Sequence, residues 1–238
     1  MENTGYVALS YQVALERKMD IVSNNIANVD TSGYRSSHMM FSEYVNKNPR
    51  QEALSQVEDY GNYRNFAPGA LTDTGNTLDV ALVGNGFMAV STADGEKFTR
   101  NGNLSTNALG QLVTSAGDVM ADTGGKPIVI PQDAGSITIA GDGTVSGEQG
   151  PLGQLKIVRF DKPQELKPVG NSLFETEEAG IADPETIVKQ GAIEGSNVNA
   201  VNEMTNMIEI MRKYESVARI LQNEHESQLS MIQKMSKV

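Results

Sequence analysis

The sequence predicts an α+β protein in which long N- and C-terminal helices flank a β-rich antiparallel middle domain. Apolar residues recur at heptad spacing over residues 1–35 and again over residues 196–238. In the segment between them, apolar residues instead alternate with polar ones, the period of a β-strand. Neither helix can bury its apolar stripe alone. We therefore expect the helices to pair as a coiled coil, with each other or with copies in other subunits.

The first helix is predicted from about Tyr6 to Asn28. It contains no Gly or Pro, and Gly33 supplies a positive-φ position that can end it. Its apolar residues recur at spacings of three and four. They are Ala8, Tyr11, Leu15, Met19, Val22, Ile26 and Val29.

The last helix is predicted from about Asn199 to Lys234. Residues 196–199 supply side chains of the kind that cap a helix, and Glu203 lies in the first turn, where the helix dipole favours an acid. The methionines of its apolar stripe suit either core packing or an adaptable interface. The stripe comprises Met204, Met207, Met211, Tyr214, Ala218, Leu221 and His225.

The middle of the chain is predicted to be antiparallel sheet, because short β-rich runs alternate with turn dipeptides such as Asp94-Gly95 and Asp142-Gly143. The segment from Ser36 to Gly75 is polar and weakly patterned, which indicates a connector of irregular structure. The predicted strands are Leu78 to Val83, Gly86 to Val90, Lys97 to Thr99, Gln111 to Thr114, Ile128 to Ile130, Ser136 to Ile139 and Gln154 to Phe160.

Composition and charge exclude several classes of function. The 238-residue chain has no cysteine, so it has neither disulfides nor thiolate sites. Its net charge is −11, and residues 36–195 carry −10 of it. An acidic surface repels nucleic-acid phosphates, so no nucleic-acid partner is expected. No apolar run suits a membrane span, and the first residues do not have the pattern of a cleaved signal peptide.

Patterns typical of enzymes are incomplete in this chain. Gly84, Gly86 and Ala89 match a dinucleotide-binding fingerprint, but the turn at Asp94-Gly95 leaves no room for the helix that the fingerprint requires. Asp142 lacks the ligand spacing of a calcium loop, and neither histidine has a metal-binding partner at helical spacing. We therefore predict no catalytic, cofactor-binding or metal site, and a protein that is not an enzyme.

Motifs along most of the chain resemble those of flagellar rod and hook proteins. Residues 24–35 have the sequence NNIANVDTSGYR, which is similar to the N-terminal motif of that family, and GSNVN at 195–199 is similar to its C-terminal motif. In the middle, GNGF at 84–87, FTRNG at 98–102 and GQLVT at 110–114 match the pattern of its β-domain. The resemblance is specific, because separate motifs occur in the family's order.

The resemblance implies a structural subunit of the bacterial flagellar basal-body rod, a rigid hollow shaft that transmits torque. It implies export by the flagellar type III apparatus without a cleaved signal, and assembly in the periplasm with copies of itself and with proximal and distal rod proteins. The expected division is a helical assembly domain of residues 1–35 and 196–238, a connector of residues 36–75 and a β-rich outer domain of residues 76–195. The junction of residues 191–196 and the modest middle resemble those of the proximal-rod branch. The alternatives are a distal-rod or hook-family subunit, or an adhesin-like binding module.

On this interpretation the functional residues form an assembly interface of helix stripes and motif residues. The simpler alternative is an ordinary two-helix core within one monomer. The N-terminal set is Tyr11, Leu15, Met19, Val22, Asn25, Ile26, Asn28, Thr31, Gly33 and Tyr34. The C-terminal set is Ser196, Asn197, Val198, Asn199, Met204, Met207, Ile208, Met211, Tyr214, Ala218 and Leu221.

Overall fold

The computed structural model describes residues 2–46 and 54–235, and its chain divides into two compact units. Unit 1 comprises Met1–Ala27, Ser36–Asn65 and Val198–Val238. Unit 2 comprises Asn28–Arg35 and Phe66–Asn197. The predicted α+β class is confirmed, with terminal helices and an antiparallel β-rich middle.

The helices of unit 1 are α1, Glu2–Ala27, and α2, Ala200–Met235. Both predicted helices are confirmed, and they pack against each other in opposite directions. Gly5 of α1 lies beside Glu224 of α2, whereas Leu15 lines the same small cleft as Ile210. Since α2 has 36 residues and α1 has 26, the C-terminal turns of α2 extend past the beginning of α1.

A β-hairpin occupies much of the segment that the sequence analysis predicted to be irregular. Strand β1, Ser37–Asn46, pairs antiparallel with β2, Leu54–Arg64, and the register shifts between Met40 and Phe41. A bulge of this kind breaks the strict alternation by which strands are recognised in a sequence. The prediction of irregular structure at these residues was therefore wrong.

Unit 2 is built from antiparallel sheets. Its strands are β3 Leu71–Asp73, β4 Val80–Val83, β5 Phe87–Thr92, β6 Gly95–Thr99, β7 Leu104–Thr106, β8 Leu112–Thr114, β9 Val119–Met120, β10 Thr138–Ile139, β11 Thr144–Gly147, β12 Gly150–Gln154, β13 Ile157–Arg159, β14 Lys167–Gly170, β15 Leu173–Glu175, β16 Ile181–Ala182, β17 Ile187–Gln190 and β18 Ala192–Glu194. The largest sheet has the strand order β14-β15-β6-β5-β9-β8-β7, and β13 joins it by pairing with β5 and β16. A smaller sheet has the order β10-β11-β12, and the pairs β17-β4 and β18-β3 join the end of the unit to its beginning.

The core of unit 2 has an aliphatic part and an aromatic part. The aliphatic part includes Met88, Leu112 and Val145, which are fully buried. The aromatic part holds Phe87, Phe98, Phe160 and Phe174, and the rings of Phe98 and Phe160 meet edge to face with centroids 4.8 Å apart. Alternate residues of β5 supply both parts, because successive side chains of a strand point to opposite faces.

Most predicted strands of unit 2 are present, and two predictions need correction. The predicted strand from Ile128 to Ile130 is wrong, because Val129 forms only an isolated bridge with Gln111. The predicted strand from Gln154 to Phe160 is divided into the end of β12 and the short β13. Leu155 forms a bridge with Asp122 at that break, so the chain changes pairing partner there.

Candidate functional site

The packed seam between α1 and α2 contains most of the residues predicted from periodicity. Leu15 and Val22 of α1 are buried against Ile210 and Val217 of α2. Further residues of both predicted stripes pack around them: Ala8, Tyr11, Met19, Ile26, Met207, Tyr214 and Leu221. The α2 side of this seam is rotated by one residue from the predicted stripe. Ile210 and Val217, which the sequence analysis missed, lie where Met211 and Ala218 were expected.

A second apolar stripe on α2 is exposed. Met204, Ile208 and Met211 are about half exposed, and Val201 is more exposed still. At 100° per residue these positions lie on one side of α2, adjacent to the packed seam. In the part of α2 beyond α1, Ile232 and Met235 are also exposed, on the side of α2 that continues the packed seam. His225, predicted on the apolar face, is also exposed.

Asn25 connects the end of α1 to the hairpin of unit 1 through hydrogen bonds. It is 1% exposed, and its Nδ2 donates to the Ser37 carbonyl at 2.9 Å while its Oδ1 accepts from the Ser37 amide at 3.0 Å. A side-chain amide carries a carbonyl oxygen that accepts and an NH₂ group that donates, as a peptide group does. It can therefore bind both the N–H and the C=O of one residue. Asn25 therefore extends the backbone pairing at the beginning of β1.

The turn of residues 28–35 explains the other N-terminal motif residues. Thr31 donates its amide to the Asn28 carbonyl and its hydroxyl to Asn28 Oδ1, both at 3.2 Å. Gly33 has φ of +70°, and a Cβ there would be 2.6 Å from the carbonyl carbon of Arg100. Tyr34 is buried in unit 2. These residues form a compact turn in which only glycine fits at position 33.

The C-terminal motif residues lie at the end of unit 2 and the beginning of α2. Asn197 donates its side-chain amide to the Ala67 carbonyl at 2.9 Å, within unit 2. Asn199 caps α2, because its Oδ1 accepts from the Asn202 amide at 3.0 Å. Ser196 and Val198 are half-buried. The predicted capping role of residues 196–199 is therefore confirmed at Asn199.

A buried ion cluster inside unit 2 joins Arg35 of the N-terminal motif and Arg100 of a β-domain motif to Glu194, which directly precedes the C-terminal motif. Glu194 is fully buried, and its carboxylate accepts from Arg35 Nη2 at 2.6 Å and from Arg100 Nη1 at 3.1 Å. Burial lowers the pKa of Arg100, and the neighbouring Glu194 carboxylate opposes that shift. Arg100 also donates to the Gly84 carbonyl at 2.5 Å and lies over the Phe87 ring. Sequence spacing could not reveal this cluster, since Arg35 and Glu194 are 159 residues apart.

The segments that resembled enzyme motifs have structural roles. Residues 84–86 join β4 to β5, and a Cβ at Gly84 would be 2.4 Å from Thr186 Oγ1. Asp142 shapes the β10–β11 turn, where its carboxylate accepts hydrogen bonds from the amide and the hydroxyl of Thr144. These bonds, chiefly the one from the amide, hold the pKa of the Asp142 carboxyl below its usual value. Over residues 2–46 and 54–235 no group of three or more His, Asp or Glu side chains could hold a metal ion. Within the same ranges no helix is both long and apolar enough to cross a membrane.

Three family models match separate parts of the chain. Residues 6–35 match "Flagella basal body rod protein", and residues 81–147 match "Flagellar hook protein FlgE/F/G D1 domain". Residues 189–234 match "Flagellar basal body rod FlgEFG protein C-terminal". The matched ranges include all three groups of motif residues described above.

Individual relatives align with nearly the whole chain. The flagellar basal-body rod protein FlgF of Caulobacter vibrioides is 38% identical over 244 aligned positions, covering 100% of both chains. FlgF of Escherichia coli is 31% identical and covers 93% of each chain. The flagellar basal-body rod protein FlgG of Agrobacterium fabrum is 33% identical over 246 positions, covering 90% of this chain and 92% of its own.

Proposed function

The chain belongs to the family of flagellar basal-body rod proteins, and from this premise we propose that its α1–α2 pair is the surface by which it assembles with copies of itself and with other rod proteins. As a member of this family it is a structural subunit of the rod. The observation that carries the proposal is the exposed apolar stripe of Val201, Met204, Ile208 and Met211, which we call the outer stripe.

The outer stripe has the chemistry of an assembly surface. The packed seam already buries one face of α2 within the subunit, so a second apolar face remains for other subunits. Fully burying an exposed Ile or Met side chain contributes about 1.5–3 kcal/mol, and burying the remaining half of several such side chains together would stabilise a contact. Unbranched Met adapts its shape, which suits subunits that meet non-equivalent neighbours. Coiled-coil packing between subunits would involve the stripes of both helices.

The proximal rod is the proposed position. The alignment with the Caulobacter FlgF covers both chains entirely in 244 positions. The alignment with the Agrobacterium FlgG needs 246 positions to cover 90% of this chain, which requires inserted residues in that relative. The length of the chain therefore favours the proximal FlgF branch over the distal FlgG branch.

The helical and the β-rich parts of the chain are proposed to form different layers of a hollow, torque-transmitting shaft. Helices of residues 1–35 and 196–238 would line the central channel, and the β-rich residues 76–195 would form the outer layer. Unit 2 contains 18 acidic and 9 basic residues, a net charge of −9, which suits a solvated outer surface. Residues 36–75 would connect these layers, and the hairpin gives that connector a regular structure.

The proposed export route and location rest on membership of the family. We propose that the flagellar type III apparatus exports the subunit without a cleaved signal and that it occupies the periplasmic part of the rod. The role is mechanical, without catalysis, nucleic-acid binding or membrane insertion. The acidic composition supports the absence of nucleic-acid binding, because the negative charges of the protein repel a phosphate backbone.

The proposal is tested by replacing the outer stripe without disturbing the packed seam. Met204→Ser with Ile208→Ser should keep the free energy of unfolding of the purified subunit within about 1 kcal/mol, because both side chains are about half exposed and each such substitution changes it by about 0.5 kcal/mol. In a strain that lacks the native chain, the variant should be exported normally but incorporated poorly into isolated basal bodies, with loss of motility. The control, Thr205→Ser with Asn223→Ser, changes a different exposed side of α2 and should assemble normally. Normal incorporation of the first variant would contradict the proposal.

A further inference from the structure

The last strands of unit 2 complete its core from the far end of the chain. β17 pairs with β4, and β18 pairs with β3, so residues 187–194 are joined to residues 71–83. Val188 and Ala192 are buried, which makes this segment part of the core. The Val188 amide also donates to the Gly141 carbonyl at 2.9 Å. The segment thus connects several parts of unit 2 that precede it.

Glu194 is the most connected residue of this segment. Its carboxylate binds Arg35 and Arg100, and its Oε1 also accepts from the Gly69 amide at 2.9 Å. Its carbonyl accepts from the Gly33 amide at 2.8 Å. Both arginine side chains are at most 4% exposed. If the core closed before Glu194 arrived, two guanidinium groups would be buried without this carboxylate, which is strongly unfavourable.

We propose that Glu194 is a folding lock, such that unit 2 closes its core only when the segment of residues 187–197 is in place. Folding of unit 2 is then one cooperative step that its last strands complete. A chain that emerges N-terminus first, as in synthesis, keeps residues 28–186 open until nearly the whole of unit 2 has appeared. An open chain suits passage through a narrow channel; this use of the lock rests on the proposed function, whereas the lock itself does not.

Hydrogen exchange of the intact chain, followed by mass spectrometry, tests the cooperative step. In the locked unit, amides of β17 and β18 should exchange with the same protection as those of β5, since both open only in global unfolding of unit 2. A segment that merely covers a finished core would exchange through local opening, with much lower protection than β5. That result would overturn the proposal, and it would leave the rod function untouched, because assembly is measured separately in basal bodies.

Charge substitutions test the role of the carboxylate. Glu194→Gln should lower the protection of β4 and β5 amides about 100-fold or more, the fold-change that corresponds to breaking a buried ion pair. Glu177→Gln, at an exposed site of unit 2, is the matched control and should leave protection unchanged. The triple variant Arg35→Met, Arg100→Met, Glu194→Leu should regain at least tenfold of the protection lost in Glu194→Gln, because apolar replacement of a buried ion triad is often neutral. Full protection is not expected, since the Gly69 amide and the Gly84 carbonyl lose their partners.

The triple variant also decides the outcome if Glu194→Gln does not fold. A folded triple variant beside an unfolded Glu194→Gln supports the lock, since the fault then lies in uncompensated charge. An unfolded triple variant overturns it, because charge compensation would not be what closes the core. Loss of protection confined to residues 187–197 in Glu194→Gln would overturn it as well.

Discussion

Asn25 and Gly33 belong to the same N-terminal motif but meet different backbone requirements. Asn25 binds both backbone groups of Ser37, so its loss would leave partly buried peptide groups unpaired. Each such group costs about 1–3 kcal/mol. Gly33 instead gives the chain a positive φ where the Arg100 backbone comes close. The sequence indicated that these positions matter, but not why, because their partners are defined only by the folded chain.

The close approach at Gly33 can be separated from its backbone conformation. Gly75 has nearly the same φ, +73° against +70°, but among the described residues other than its two chain neighbours no atom lies within 4 Å of the position that a Cβ would take there. At Gly33 the Arg100 and Asn101 backbones would be only 2.6 Å from a Cβ. Gly75→Ala should therefore cost about 1–2 kcal/mol for the left-handed conformation alone. Gly33→Ala should cost about 1–3 kcal/mol more, because the neighbouring backbone must move. Urea denaturation followed by circular dichroism measures both, and equal losses would contradict this explanation.

At the scale of elements, both helices were predictable from the sequence, but the face of α2 that packs against α1 was not. The apolar residues of α1 form one stripe, and Leu15 and Val22 of that stripe are buried as periodicity indicates. On α2 the stripe predicted from sequence and the packed seam share Met207, Tyr214 and Leu221, and the sequence alone does not distinguish which of the two sets packs on α1. The structure selects the stripe with Ile210 and Val217. The hairpin was missed because a bulge interrupts its alternation.

The rotation of the α2 seam predicts opposite results for neighbouring residues. Ile210 is 2% exposed in the seam, so Ile210→Ala should lower the free energy of unfolding of unit 1 by about 2–5 kcal/mol. Met211→Ala should change it by no more than about 0.5 kcal/mol, because Met211 is 47% exposed. The loss of helical circular dichroism on heating measures each change. If Met211→Ala were the more destabilising substitution, the seam would follow the stripe predicted from sequence.

At the scale of the whole molecule, the chain passes between the units four times, after Ala27, Arg35, Asn65 and Asn197. Unit 2 is consequently made of a short segment, Asn28–Arg35, and the long segment Phe66–Asn197. Short-range patterns in the sequence could not assign residues 28–35 to the β-rich unit, because the contacts that hold them there are long-range. Those contacts are the Arg35–Glu194 ion pair and the hydrogen bond from the Gly33 amide to the Glu194 carbonyl.

Cutting the chain between Asn65 and Phe66 tests whether these contacts hold the short segment without the covalent connection. A specific protease site inserted there can be cleaved in the folded protein, since Asn65 is exposed and lies at a boundary between units. The N-terminal fragment should stay bound to the rest of unit 2 through gel filtration, because the Arg35–Glu194 pair and the Gly33 amide anchor it in the core. Unit 1 also holds the fragments together through α1 and α2, so the comparison is made with Leu15→Ala and Ile210→Ala, which weaken that packing. In this background the fragments should remain associated, and adding Arg35→Ala should separate them.

Separation before Arg35 is changed would show that residues 28–35 do not anchor the N-terminal fragment in unit 2.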